Sequence, residues 1–342
     1  MSGAPPNSGN LDTFPKLLAE NAQQRGDRPA SREKDYGIWQ TWTWTEAAGE
    51  IRAIACGLAD LGVMRGDKVT ICGDNRPHLY WSITAVQVLG AIPVPVYQDS
   101  VPEEMHYLYE HAEAKYAIVE NQEQVDKLLE IKDRLPHLRH IIYKFPRGMR
   151  HYHQPFLDLL ADIQDRGRAF DAANPDFYDA AVNESGGSDT AIMLYTSGTT
   201  GKPKGVMLSF DNLIITGRNG AIRENLTEDE DMLAYLPMAW IGDNIFSIAQ
   251  SYVTGFCVCC PESSETVLED LREIGPTYFF APPRIYESLL TTVMIRIEDA
   301  AKIKQRMFHY FMAVARRVGM DILDGKEVAL AERVRYWPCN IL

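Results

Sequence analysis

The stretch Tyr195-Thr196-Ser197-Gly198-Thr199-Thr200-Gly201-Lys202-Pro203-Lys204-Gly205-Val206-Met207-Leu208-Ser209 decides how this chain is read. An apolar run over 191–195 enters it, and Val206, Met207 and Leu208 leave it. It is therefore expected to be a long loop between two strands. Gly198 and Gly201 let the backbone take positive φ and turn successive N–H groups to one side. Such a nest of N–H groups binds an anion. Thr196, Ser197, Thr199 and Thr200 add hydroxyl donors, and Lys202 and Lys204 add positive charge. Hydrogen bonds to a charged partner contribute roughly 1.5–3 kcal/mol each, so a handful would hold a polyphosphate. The loop is not a Walker A motif, which has four residues between its glycines and Ser or Thr after the lysine. Here the spacing is Gly-x-x-Gly, and Pro203 follows Lys202. A plain polar turn is the competing reading. The unbroken run of hydroxyl and glycine residues from Thr196 to Gly201, closed by two lysines, favours the phosphate loop.

Composition sets the outer limits. The 342 residues have length for one large or two ordinary domains, and 46% hydrophobic with 24% charged residues is typical of soluble globular chains. A net charge of −13 argues against nucleic acid as a partner and against general attraction to anionic membranes. Local basic spots remain at Arg147 and Arg150 and at Arg316 and Arg317. Six cysteines are too few for a disulfide scaffold. Cys257, Cys259 and Cys260 lie in an apolar, strand-like run and read as reduced core thiols rather than metal ligands. Residues 1–10 are rich in Pro, Gly, Ser and Asn, so a disordered tail is expected rather than a signal peptide. No stretch approaches the ~20 apolar residues of a membrane span. The expected location is cytoplasmic, with peripheral contact to a membrane left open.

Along the chain, Thr13 is placed to cap a helix ending near Gly26, and strands are expected over 30–34 and 38–44. Trp42 and Trp44 share one face of the second strand and read as a packed aromatic surface. Thr45 is expected to cap the next helix. A β-α-β unit follows: a strand over 68–72, a helix opened by Pro77, and a strand over 92–97. A second unit has helices over 102–114 and up to 134, with strands over 116–120 and 140–143. Strands alternating with helices imply a mainly parallel, doubly wound α/β sheet. His151 and His153 lack a third ligand at metal spacing and read as a solvated pair. From Phe156 a short helix is expected, and the polar 183–189 stretch is the candidate boundary between subdomains 11–185 and 186–342. Beyond the loop, Ser209 caps a helix, and strands are expected over 232–236, 256–260 and 277–281. Pro283 opens a helical region reaching about Met320. Met307, Phe308, Phe311, Met312 and Ala315 give that region an apolar stripe expected to be core.

The loop closely resembles the phosphate-binding loop of the adenylate-forming (AMP-binding) superfamily, and the chain as a whole resembles its long-chain acyl-CoA synthetases. The resemblance also rests on Asn75-Arg76-Pro77, Pro93-Val94-Pro95-Val96-Tyr97, Tyr235-Leu236-Pro237 and Pro283-Arg284-Ile285-Tyr286-Glu287. It implies a large N-terminal domain of two α/β subdomains. It also implies ATP-dependent activation of a long-chain fatty acid to an acyl-adenylate and then to acyl-CoA. By resemblance Thr196 would help hold Mg²⁺, while Ser197, Gly198, Thr199, Thr200, Gly201, Lys202 and Lys204 would clasp the polyphosphate. Thr196 and Lys204 are the implied catalytic residues, and ATP, Mg²⁺ and coenzyme A the implied cofactors and cosubstrate. Mg²⁺ binds mainly through substrate phosphates, so no protein cage is expected.

Two departures from the family pattern stand out. Where many relatives have Leu-Pro-x-x-His, this chain has Leu236-Pro237-Met238-Ala239-Trp240. An indole cannot carry a proton but can wall an acyl tunnel, so Trp240 is the candidate substrate residue, with a packed core Trp as the alternative. Asp243 stands where a carboxylate is common in relatives and receives no role. The chain also stops before the family's later motifs and its C-terminal lid domain. The expectation is therefore an incomplete domain over 11–342. Its alternatives are an inactive fragment with a partial site, or an acyl-AMP ligase serving a carrier protein.

Overall fold

The computed structural model describes residues 11–196 and 201–337. The tail 1–10 lies outside the described residues, as do Ser197, Gly198, Thr199 and Thr200 of the loop. The chain divides into two compact units, Met1–Phe279 and Phe280–Leu342.

The first unit opens with α1 (Phe14–Gln24), capped by the Thr13 hydroxyl, then β1 (Pro29–Asp35) and β2 (Ile38–Thr43). The next helix, α2 (Trp44–Asp60), is capped by Thr43 and not by Thr45. Glu46 stands three residues after Thr43 and returns the bond to the Thr43 N–H at 2.8 Å, a reciprocal cap that Thr45 has no acid to complete. Trp44 is thus the first helical residue and is buried, whereas Trp42 stays on β2 and meets the Trp81 ring edge-on at 5.4 Å. Next come β3 (Lys68–Cys72), α3 (Pro77–Val88), β4 (Ile92–Val96), α4 (Pro102–His111), β5 (Tyr116–Val119), α5 (Gln122–Ile131) and β6 (His140–Tyr143). The segment expected as one short helix holds β7 (Leu157–Leu159), α6 (Leu160–Ala173) and α7 (Phe177–Glu184). A three-residue strand is too short to show periodicity, which is why the sequence hides β7.

β3 to β7 form a five-stranded parallel sheet in the order β4-β3-β5-β6-β7. The sequence order doubles back between β3 and β5, so their carboxyl ends mark a topological switch point. Then follow β8 (Thr190–Thr196), β9 (Lys204–Ser209), α8 (Phe210–Glu224) and β10 (Asp231–Leu233). After them come α9 (Ile241–Asp243), a π-helical turn (Asn244–Ala249), α10 (Gln250–Thr254), β11 (Cys257–Cys260) and α11 (Val267–Ile274). A second sheet has the order β10-β11-β1-β2, parallel except for the β1–β2 hairpin. It takes strands from both sides of residue 185. The expected strand over 277–281 is only a single bridge, Tyr278 to Met232.

The largest core lies around α1, α2, α3 and β8. α2 and α6 cross so closely that a Cβ on Gly167 would stand 1.8 Å from the Ala53 carbonyl oxygen. The five described cysteines are free and buried. Alternation along β11 sends Cys257 and Cys259 into one cluster and Cys260 to the other face. Asp231 joins Cys257 and Cys259 with its oxygen within 4.8 Å of both sulfurs. The Arg32 guanidinium already meets Asp231 at 2.5 Å and Cys259 Sγ at 3.8 Å, so this group is a side-chain ion pair beside thiols.

In the second unit, Pro283 opens α12 (Pro283–Glu298), followed by α13 (Lys302–Leu323) and α14 (Leu330–Tyr336). The single helical region expected here is broken at residues 299–301. The buried residues of α13 are Val314 and Val318, while Met307 of the expected stripe is half exposed. Within the unit α12 and α14 pack against α13, and Phe308, Phe311, Met312 and Ala315 of the stripe are half-buried.

Candidate functional site

β8 and β9 pair as an antiparallel hairpin, with Thr196 opposite Lys204 at its open end. The two strands expected to flank the loop are therefore paired with each other. Ser209 ends the hairpin and caps α8, its hydroxyl accepting the Asn212 N–H at 3.2 Å. Gly201 has φ +147°, and among the described residues nothing lies within 4 Å of where a Cβ would be. Thr196, Gly201, Lys202 and Lys204 are all exposed.

α4 braces this tip. The Tyr107 hydroxyl donates to the Pro203 carbonyl at 2.9 Å, and the Lys202 ammonium stands 5.0 Å from the centre of the Tyr107 ring. Tyr195 shares a 2.7 Å hydrogen bond with His111 Nδ1. Burial raises the Tyr195 phenol to about 12, so it stays neutral and acts as a strut. No carboxylate makes an ion pair with Lys202 or Lys204 among the described residues. The described donor set of two exposed ammonium groups and an exposed hydroxyl suits a polyphosphate with its own cation, and Thr196 offers a hydroxyl that could face that cation.

A second polar centre lies at the switch point. Here Asn75 and Arg76 follow β3, and Glu120 follows β5. Glu120 accepts the Asp74 N–H at 2.7 Å and Arg76 Nε at 2.9 Å. Arg76 also donates to the carbonyls of Pro261 and Glu262 beyond β11, at 2.9 and 2.8 Å, and stands 3.6 Å from Glu33 at the end of β1. One guanidinium thus ties together the carboxyl ends of both parallel sheets. These ends border an open cleft of about 960 Å³ lined by Glu33, Arg76, Gln122, Arg147 and Glu262 among others. Ligands of open α/β sheets bind in such a place.

Asn75 links this centre to Trp240. Its Nδ2 donates to the Leu236 carbonyl at 2.8 Å and lies 3.3 Å from Asp243 Oδ1. Asp243 is buried and accepts the Tyr80 hydroxyl at 2.9 Å and the Ser247 hydroxyl at 2.8 Å. Burial pushes its carboxyl up to about 7, against the pull of the bonds from Ser247 and Tyr80. Trp240 is 42% exposed and so does not fit a wholly packed core Trp. Its backbone is held by Pro237 and Asn244, and it leads into α9, after which the π-helical turn begins at Asn244. Such turns are rare and cluster at functional sites. Among the described residues, the hairpin tip gathers Thr196, Gly201, Lys202 and Lys204, but no hydrogen bond, ion pair or ring contact joins Trp240 to it. The Asp243 centre is hidden in the sequence because Asn75 lies 168 positions from Asp243. A buried acid one turn from a Ser was the only local trace.

Comparison with known proteins gives this arrangement its context. The AMP-binding enzyme family matches residues 18–327, and the chain belongs to that family. It is 27% identical over 312 residues to a long-chain-fatty-acid–CoA ligase, ACSBG1, of Macaca fascicularis, covering 88% of this chain and 42% of that protein. It is 28% identical over 325 residues to the ligase ACSBG2 of Xenopus laevis, covering 92% and 43%. The chain thus spans less than half the length of these relatives. Its fold is similar to the crystal structure of a long-chain-fatty-acid–CoA ligase from Archaeoglobus fulgidus, with a TM-score of 0.68 at 18% identity, over 88% of this chain and 56% of that one. No helix among the described residues is long and apolar enough to cross a membrane.

Proposed function

We propose that this chain carries the ATP-phosphate and acyl sites of a long-chain fatty acid–CoA ligase, which activates the acid as an acyl-adenylate before transfer to coenzyme A. The observation that carries the reading is the braced hairpin tip, with exposed Thr196, Lys202 and Lys204 and no carboxylate paired to either lysine among the described residues. Family membership and relatives named as long-chain-fatty-acid–CoA ligases support the substrate class. Attack of a carboxylate on the α-phosphorus brings two anions together, which requires the β- and γ-phosphate charge to be neutralised and both groups held in place. Lys202 and Lys204 supply fixed positive charge for this, and Thr196 offers an oxygen to Mg²⁺, which would neutralise phosphate charge when bound. Residues 197–201 would add backbone and hydroxyl donors. Trp240 in place of a histidine cannot move a proton, so it serves by shape, as a wall for the fatty chain.

The test is exchange of labelled pyrophosphate into ATP by this protein, with Mg²⁺ and fatty acids of graded length. Exchange that depends on a long-chain acid is expected. Exchange driven only by short or aromatic acids would overturn the substrate class. ATP binding that survives loss of both lysines would overturn the phosphate assignment.

A further inference from the structure

The segment 236–243 is pinned at both ends by one side chain. Asn75 Nδ2 holds the Leu236 carbonyl at 2.8 Å where the segment begins and approaches Asp243 Oδ1 at 3.3 Å where it ends. Between these points the Trp240 N–H closes onto the Pro237 carbonyl at 2.8 Å. Asn244 Nδ2 holds the carbonyls of Met238 and Trp240 at 2.9 and 2.8 Å. The backbone is therefore bonded throughout, while the indole is left standing out, 42% exposed. Asp243 is the one acid in this knot, and no cation pairs with it among the described residues. Its carboxylate is held instead by neutral donors: Asn75 after β3, Tyr80 on α3 and Ser247 in the π-helical turn. A buried carboxylate without a cation is costly to keep, so its retention at this joint needs a reason beyond packing. We infer that Asp243 is a positioning residue for Trp240: with Asn75 and Tyr80 it draws the 236–243 segment onto the switch-point loop and so sets where the indole stands. Its bearing on acyl recognition rests on the reading of Trp240 given above.

The knot changes with the charge on Asp243. As an anion it accepts the Tyr80 and Ser247 hydroxyls, while the two amide protons of Asn75 are shared among it at 3.3 Å, the Tyr80 oxygen at 2.6 Å and the Leu236 carbonyl at 2.8 Å. Once protonated it must itself donate, and at least one of those bonds is lost or reversed. Its carboxyl is pushed up to about 7, which puts the change near neutral pH. The titratable groups facing it are Tyr80 from α3 and Cys260 from β11, and burial pushes both well above that range. His78, two residues before Tyr80, is pushed down to about 3 and stays neutral too.

The test is acrylamide quenching of tryptophan fluorescence across roughly pH 5 to 9, with the Trp240 share taken as wild type minus Trp240→Phe. Quenching of that share is expected to rise as pH falls through about 7. Asp243→Asn should abolish the transition. Tyr80→Phe, which removes one donor to the anion, should move the midpoint up by about one unit. The proposal is overturned by a transition that persists in Asp243→Asn, by one equally present in Trp240→Phe, or by a flat wild-type profile. None of these readouts needs nucleotide or fatty acid. Failure of fatty-acid-dependent exchange beside an intact transition would sink the ligase reading and leave the role of Asp243 standing.

Discussion

Replacing Asp243 by Asn should change how the stability of the first unit depends on pH, and the size of the change follows from burial. On folding the carboxyl moves from 3.8 to about 7. That is about three units, or ~4 kcal/mol between the two protonation states. The sign follows from the direction. A folded-state value raised above the unfolded one stabilises fully below the unfolded value, and the contribution is lost as pH rises through the folded one. Between about pH 5 and about pH 8 the wild type should therefore lose roughly 2–3 kcal/mol that Asn, which cannot titrate, does not lose. Urea unfolding of both proteins at the two pH values measures it. Subtracting one protein from the other cancels every group that titrates alike in both. Only the pH dependence is diagnostic, because Asn also alters the bonds to Tyr80 and Ser247 and so shifts stability at every pH. A difference that moves by less than about 0.5 kcal/mol would refute a buried, cation-free carboxyl at this position.

Three further outcomes are expected. Lys204→Ala removes an exposed ammonium at the hairpin tip and should slow fatty-acid-dependent pyrophosphate exchange about ten- to a hundredfold; an unchanged rate would take Lys204 out of the site. Trp240→Ala should alter preference among fatty acids of neighbouring length severalfold, at about 0.8 kcal/mol per methylene, with ATP affinity unmoved; an unchanged length profile would argue for a purely structural indole. Gly167→Ala puts a methyl group 1.8 Å from the Ala53 carbonyl oxygen and should destabilise the first unit by about 1–3 kcal/mol, read by thermal or urea unfolding; wild-type stability would mean that α2 and α6 part easily.

Most of the fold is legible in the sequence because its signals are local. Thr13, Pro77, Ser209 and Pro283 each mark a helix start through a cap or a fixed φ set by a single residue. The parallel sheet announces itself through apolar strands spaced by helices. Errors fall where two local signals compete or where none exists. Thr43 and Thr45 are both plausible caps, and only Glu46 at the right spacing decides between them. β7 is three residues long, and Tyr278 makes one bridge without a strand around it. The π-helical turn over Asn244–Ala249 has no composition of its own to announce it.

The same division runs through the candidate site. The hairpin tip is contiguous, so the run from Thr196 to Lys204 states its chemistry in residue types alone. What braces it is not contiguous: Tyr107 lies 96 positions from Pro203, and His111 lies 84 from Tyr195. The switch-point knot joins a nonlocal pair of segments, Asn75 and Tyr80 with Leu236 and Asp243. Asn75 can be quoted as part of a family motif, but nothing in its neighbours says that its amide meets the Leu236 carbonyl, 161 positions away. That bond explains why two separate motifs, Asn75-Arg76-Pro77 and Tyr235-Leu236-Pro237, occur in one chain. The Asn75 side chain of the first holds the Leu236 backbone of the second, four residues before Trp240. If the bond is what couples them, Asn75→Ala should raise acrylamide quenching of the Trp240 share, although among the described residues no hydrogen bond joins its side chain to Trp240.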